Sequence, residues 1–347
     1  MNITVLGTGR WASNIAGLLL KNGHNVLSWE KVFDEFPESE FFLTGKNNYI
    51  DLSQFKNNGV LSFTHDLDEA IASGDIVFVS ILSQKVDELM TSISGVRDYQ
   101  NKKYVIAMKG VEATTGRTLS EILMAHGVKK NNIAVLAGPG HVENIAKGMS
   151  THMVVAGYDY DFATRVKTIL SNDTFRLFPN VDVKGVELCA AAKNVYGGLA
   201  GMCVGSNNDT LRGSLMCASL TEMERYLEAM QCVPTTARGL ALLGDYDATL
   251  YDKNSHNLNY GIEVIRQNTA NPKMPFVSIE GRDAASGLIK RMTNYNNEVS
   301  DKMQIEAPLI ETYQDVVTAK ISPEKAVESI QNAIEKVYEH ESINFRY

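Results

Sequence analysis

The 347-residue sequence is poor in cysteine, has no long apolar run, and carries no excess of positive charge. Its four cysteines, Cys189, Cys203, Cys217 and Cys232, stand about fourteen residues apart, without a Cys-X-X-Cys or nearby paired histidines. Zinc sites need close ligand pairs, so no metal is expected. The apolar or helix-like surroundings predict reduced, mostly buried thiols. No stretch approaches the run of about 18 apolar residues that suggests a membrane-spanning helix, so membrane insertion is not expected. Met1–Gly9 enters a strand directly, with no charged leader or cleavage site, and a soluble cytoplasmic setting is the expectation. A formal charge of −8 offers no general attraction to nucleic acid or an anionic membrane. An anionic ligand would therefore need a focused pocket. Repeats of solenoid period and low-complexity tracts are also missing.

What is present is a globular composition, 44% hydrophobic and 21% charged, at a length that suggests two domains. Ile3–Leu6 is a short apolar run, followed by a helical pattern with Ile15, Leu18 and Leu19 on one face, and Asn25–Trp29 reads as a second strand. Further strand-like runs at Asp75–Leu82, Tyr104–Met108 and Ile133–Ala137 are separated by helix-length segments. That alternation predicts a mostly parallel, doubly wound Rossmann-type α/β sheet. The polar insert Lys31–Gly59 reads as a surface excursion after the second strand. From about Pro179–Lys184 the texture becomes helical, with amphipathic stretches at Val186–Met202, Leu211–Met230, Gly261–Gln267 and Ala284–Thr293. Pro308 and Pro323 open two more, reaching Val317 and Tyr338. The expected division is a dinucleotide-binding domain over 1–182 and an all-α substrate and catalytic domain over 183–347. Long amphipathic helices also suit a homodimer, although the same pattern suits a monomer core.

The first strand ends in Gly7-Thr8-Gly9-Arg10-Trp11-Ala12, a GxGxxA dinucleotide fingerprint. The glycines allow a tight turn and close approach of a pyrophosphate, and Ala12 allows close helix–strand packing. The helix start supplies N–H groups and a positive dipole end. Glu30 follows the second strand, 23 residues after Gly7. A carboxylate there accepts bonds from the adenosine ribose and repels a 2′-phosphate, so NAD is expected over NADP; Lys31 beside it argues the other way.

Lys193 lies among Ala and Val residues in a segment that would bury it. A desolvated lysine is suited to proton donation toward a carbonyl oxygen. Asp245, after Gly244, would orient that ammonium if placed against it.

Read in order, the motifs resemble the NAD(P)-dependent glycerol-3-phosphate dehydrogenases over nearly the whole chain. They are GTGRWA at Gly7–Ala12, LSW at Leu27–Trp29, AMKG at Ala107–Gly110 and EATTGRTLSEIL at Glu112–Leu123. AGPGHVENIAKG at Ala137–Gly148, GVELCAAAKNVYGGLAG at Gly185–Gly201, LLGDYDAT at Leu242–Thr249 and IEG at Ile279–Gly281 complete the set. The resemblance implies reversible reduction of dihydroxyacetone phosphate to sn-glycerol 3-phosphate. It implies that Lys193 is the general acid/base, that Asn194 and Asp245 support it and the substrate hydroxyls, and that Lys109 touches nicotinamide and substrate. Gly138 and Gly140 would line the pocket, Thr249, Ser255 and Asn257 would meet substrate, and Glu280 would close on the cofactor.

Four departures cluster on the substrate side. The family's Ser-Arg-Asn is Ser255-His256-Asn257, and its following Arg-Arg is Leu258-Asn259. The common Ser or Thr is Gly140, and a common Asn is Thr210. Histidine lacks the permanent charge and bidentate fork of arginine. The departures imply either an altered substrate or a replacement cation, with Arg212 and Arg282 as candidates. A catalytically silent nucleotide sensor is the reading from another class.

Overall fold

The computed structural model describes residues 1–31, 38–252, 255–275 and 279–344. The chain divides into two compact units, Met1–Lys109 with Leu119–Val183, and Gly110–Thr118 with Lys184–Tyr347. The second unit thus takes in a short excursion, 110–118, from the sequence expected to belong wholly to the first.

In the first unit, β1 (Asn2–Leu6), α1 (Arg10–Lys21) and β2 (Asn25–Trp29) form the opening β-α-β. Short helices α2 (Glu40–Thr44) and α3 (Ser53–Asn57) precede β3 (Leu61–Thr64) and α4 (Leu67–Ser73). β4 (Ile76–Val79), α5 (Val86–Ile93), β5 (Lys103–Ile106), α6 (Leu119–Ala125) and β6 (Ile133–Ala137) continue the alternation. α7 (Val142–Ala146), β7 (Thr151–Gly157), α8 (Tyr160–Leu170) and β8 (Phe175–Asn180) complete it. The eight strands lie in the order β3-β2-β1-β4-β5-β6-β7-β8, and every pairing is parallel except β6 with β7. β4 and β6 are buried at every position, as expected of strands covered on both faces. The chain order reverses across β1 and β4, and their carboxyl ends, Leu6 and Val79, are paired neighbours. Such a switch point opens a crevice for a ligand.

Three strands were not anticipated: β3, β7 and β8. The runs expected at Asp75–Leu82 and Tyr104–Met108 are shorter strands, because their carboxyl-side residues turn out of the sheet. Residues 32–37 of the predicted excursion lie outside the described residues. Its remainder is more than a surface loop, since Phe41 and Leu52 join the core around Ile15 and Leu19. Burying each such side chain contributes about 1.5–3 kcal/mol.

The described part of the second unit is helical: α9 (Val183–Gly205), α10 (Asp209–Ala229), α11 (Asp245–Tyr251), α12 (His256–Arg266), α13 (Glu280–Glu298), α14 (Pro308–Val317) and α15 (Pro323–Asn344). Every residue from Gly185 to Cys203 is buried, which identifies α9 as the central helix. A π-helical turn over Leu240–Gly244 runs directly into α11. The 110–118 excursion is held on α13, where Arg291 donates to the Gly116 carbonyl over 3.0 Å. No helix among the described residues is long and apolar enough to cross a membrane. None of the four cysteines is in a disulfide; Cys189 and Cys203 are buried, but Cys232 is only partly so and Cys217 is exposed on α10, so fewer are buried than expected.

Candidate active site

The glycine corner follows directly from β1. Gly7 has φ +124°, and a Cβ there would strike the Ser80 carbonyl oxygen. Only glycine meets both conditions without strain. A Cβ on Gly9 would meet nothing within 4 Å, so the backbone is open at that point. Gly9 precedes α1 without a side-chain cap, and the first turn of α1 contains no acidic residue. Open backbone N–H groups at a positive helix end fit the pyrophosphate of a dinucleotide. Two motif side chains are directed elsewhere. Arg10 pairs with Glu143 and lies 4.3 Å over the Tyr49 ring, while Trp11 packs on the core. For these two, backbone rather than side chain is what the corner offers a ligand.

Beside the corner is a cavity of about 580 Å³, lined by Gly7, Thr8, Glu30 and Lys31 on one side and Ile81, Leu82 and Leu89 on another. Glu30 is held in it by Thr8 Oγ1 and by the Ser39 N–H, which donates over 3.0 Å. Its backbone carbonyl meets His65 Nδ1 at 2.9 Å, and His65 Nε2 meets Glu38 at 2.7 Å. The Glu30 carbonyl, followed by Glu38, raises the His65 pKa. Lys31 pairs with Glu88. A polar rim with an apolar wall suits a nucleoside. Gly7 and Thr8 belong to the glycine fingerprint, and Glu30 and Lys31 are marked in the sequence by their place after the second strand; Glu38, Ser39, His65, Ile81, Leu82, Glu88 and Leu89 belong to no sequence motif.

Lys109 follows β5 and donates to the Gly138 carbonyl over 3.3 Å. Gly138 and Gly140 form the turn after β6, closed by a 2.8 Å bond from Gly140 N–H to Gly138 O. A Cβ on Gly140 would come 2.6 Å from Met153 Sδ and 3.1 Å from Trp11 Cη2. Glycine at this position, where the resemblance leads one to expect Ser or Thr, is matched by a methionine end filling the space.

In the second unit α9 presents Lys193, 8% exposed, to α11. Its ammonium donates to Thr249 Oγ1 over 3.0 Å and lies 3.4 Å from Asp245 Oδ1. Asp245 and Thr249 are one turn apart on α11, and the Thr249 hydroxyl donates to the Asp245 carbonyl over 2.8 Å. That bond commits the hydroxyl hydrogen and leaves the oxygen as an acceptor for Lys193. A buried cation and anion at this separation offset each other's lost hydration.

Next to Lys193, Asn194 donates to Glu280 over 3.0 Å and accepts from Asn257 over 3.0 Å. Asn257 Oδ1 in turn accepts the Gly281 N–H over 3.0 Å. This ladder ties α9, α12 and the start of α13 together. Ser255 caps α12 by accepting from the Leu258 N–H, and His256 is the first residue of that helix. Arg282, one candidate for the replacement cation, is engaged by neighbours of its own unit. Its Nη2 donates to the Ala270 carbonyl and to Asn271 Oδ1, both at 2.7 Å, and its guanidinium lies over Tyr260. Arg212, with a loose 3.8 Å pair to Asp209, is less committed. Among the described residues, no group of three or more His, Cys, Asp or Glu is arranged to hold a metal ion.

A glycine-cornered sheet with a carboxylate after its second strand, joined to a helical unit with a buried lysine–aspartate pair, defines a dinucleotide-dependent oxidoreductase. The model of the NAD-dependent glycerol-3-phosphate dehydrogenase N-terminus matches residues 2–163, and that of the C-terminus matches residues 182–328. The chain belongs to the NAD-dependent glycerol-3-phosphate dehydrogenase family. It is 32% identical over 333 residues to the glycerol-3-phosphate dehydrogenase (NAD(P)+) of Citrifermentans bemidjiense, covering 94% of this chain and 95% of that protein. The enzyme of the same name from Fusobacterium nucleatum is 30% identical over 315 residues, covering 90% and 93%. The fold is similar to the solved glycerol-3-phosphate dehydrogenase of Coxiella burnetii, with a TM-score of 0.76 at 24% identity, covering 95% of this chain and 98% of that one.

Proposed function

We propose that this enzyme interconverts dihydroxyacetone phosphate and sn-glycerol 3-phosphate, with NAD(H) preferred and Lys193 as general acid/base. The observation carrying this reading is the buried Lys193 ammonium held by Thr249 and Asp245. NAD(H), when bound, supplies or accepts the hydride at the substrate carbon. In the reducing direction Lys193 gives a proton to the ketone oxygen, which becomes the alcohol; in the oxidising direction the neutral amine takes that proton back. Asp245 favours the charged form of Lys193, and Thr249 fixes its direction. Asn194 and Asn257, locked in their ladder, would present fixed dipoles to substrate hydroxyls. Lys109 would add positive charge for the phosphate. Glu30 supports the NAD preference, since its carboxylate opposes a 2′-phosphate.

A second reading keeps the chemistry but changes the substrate to another hydroxy or keto compound. It is favoured by one observation: His256 replaces the expected arginine, and Arg282 is engaged by Ala270 and Asn271. One assay separates the readings. Dihydroxyacetone phosphate should support NADH oxidation, and Lys193→Ala should lower kcat by about 10²–10⁴-fold while NADH binding persists. Turnover of other ketones but not of dihydroxyacetone phosphate would favour the second reading. Undiminished activity in Lys193→Ala would overturn the role of Lys193 in both.

A further inference from the structure

Two ammonium groups on the rim of the nucleoside-sized cavity share a single carboxylate. Lys31 Nζ lies 2.5 Å from Glu88 Oε1, and Lys85 Nζ lies 3.0 Å from Oε2 of the same side chain. All three line the cavity together with Glu30. Glu88 comes from the first turn of α5, whereas Glu30 and Lys31 follow the end of β2.

We propose that Glu88 is a cofactor-specificity residue, which sets the cavity against a 2′-phosphate by neutralising Lys31 and Lys85. The proposal rests on the reading that this cavity takes the adenosine end of the dinucleotide. A 2′-phosphate brings a charge of about −1.5 to −2 and is held by cations not already engaged with carboxylates. Among the described residues, the lysines and carboxylates lining the cavity are Lys31 and Lys85 against Glu30, Glu38 and Glu88. Two positive and three negative groups leave one net negative charge. Without the Glu88 charge these lysines and carboxylates sum to zero, and two lysines on flexible stems lose the carboxylate they share. His65, whose ring nitrogens meet the Glu30 carbonyl and Glu38, adds its positive charge when protonated, but equally with and without Glu88, so the change on removing the Glu88 charge is the same. Lys31, which next to Glu30 would otherwise welcome a 2′-phosphate, is thereby turned into half of an ion pair. The two lysines hold the Glu88 carboxyl down to about 2, so it stays charged through the physiological range.

The test is a fluorescence titration of NADH and NADPH into the full chain, its Glu88→Gln variant, and Glu88→Gln combined with Lys31→Ala. Glu88→Gln should raise the NADPH-to-NADH affinity ratio by about five- to tenfold at low salt. The gain should shrink in high salt, because these groups are half-exposed. Adding Lys31→Ala should cancel most of it. An unchanged ratio in Glu88→Gln, or a gain that survives Lys31→Ala, overturns the proposal while leaving the NADH site intact. If no form binds either dinucleotide, the cofactor reading fails and the proposal falls with it.

Discussion

At the scale of single residues, the contacts of the Lys193 ammonium with Thr249 and Asp245 differ in kind. The hydroxyl of Thr249 is at 3.0 Å and the Asp245 carboxylate at 3.4 Å, so a neutral group gives the direction and a charged one the electrostatic support. Thr249→Val keeps the shape but removes the acceptor, leaving a buried ammonium with one partner fewer. That should cost about 1–3 kcal/mol of catalysis, a fall in kcat of roughly five- to 150-fold. Thr249→Ser should recover most of it, whereas a purely packing role would be served better by valine; steady-state kinetics on the three proteins decides. The burial of Lys193 was legible in the sequence because a lysine among Ala and Val residues is anomalous there. The part played by Thr249 was not. The sequence suggested a substrate contact, and nothing in a linear reading reveals that its hydroxyl hydrogen is committed to the Asp245 carbonyl one turn back. Glu88 carried no signal at all, since its contact with Lys31 joins residues far apart along the chain.

At the scale of elements, α9 and α12 cross with backbone against backbone. A Cβ on Gly261 would strike the Gly198 carbonyl and come 2.8 Å from Met202 N, and one on Gly201 would strike the Leu258 carbonyl. None of these obstacles is a flexible side chain. Gly261→Ala should therefore force the helices apart, at a cost of about 1–3 kcal/mol or more, and disturb the Asn194–Asn257 bond between them. Gly213→Ala is the control: it also lies within a helix, α10, but its Cβ would enter open space. That change should stabilise by about 0.4–1 kcal/mol. Thermal unfolding midpoints moving in opposite directions would bear out the pair, and equal midpoints would refute it. The helices of this unit were readable from apolar periodicity and from Pro308 and Pro323 at their starts. The missed strands have specific reasons. β8 alternates buried and exposed residues but contains Pro179, which looks like a boundary. Proline is tolerated there because β8 is the edge of the sheet. β3 is only four residues long, too short for periodicity to distinguish it from a loop.

At the scale of the whole molecule, the strongest pH effect on stability should come from a carboxyl outside the proposed chemistry. Glu222, on α10, is 2% exposed. It accepts from Tyr196 Oη over 3.0 Å and from the Leu309 and Ile310 N–H groups over 2.7 and 3.3 Å, closing the N-terminus of α14. Burial outweighs these three donors and pushes its pKa up from 4.5 to about 8. A folded pKa above the unfolded one means that the folded state holds the proton more tightly. The resulting stability is fully present below pH 4.5 and is lost as pH rises through 8, on the order of a few kcal/mol in all. Asp283 and Glu311, also raised by burial, act in the same direction. Glu88 acts oppositely, its contribution fading as pH falls toward 2, but it is exposed and screened. The wild-type thermal midpoint should accordingly decline between pH 5 and 8. Glu222→Gln keeps an acceptor for α14 and removes the titration, so its curve should be flatter over that interval. Asp283, Glu311 and His65 titrate in both proteins, and the difference between the two slopes isolates Glu222. Parallel curves would mean that Glu222 keeps the same charge throughout the interval, and that the three donors, rather than burial, control it.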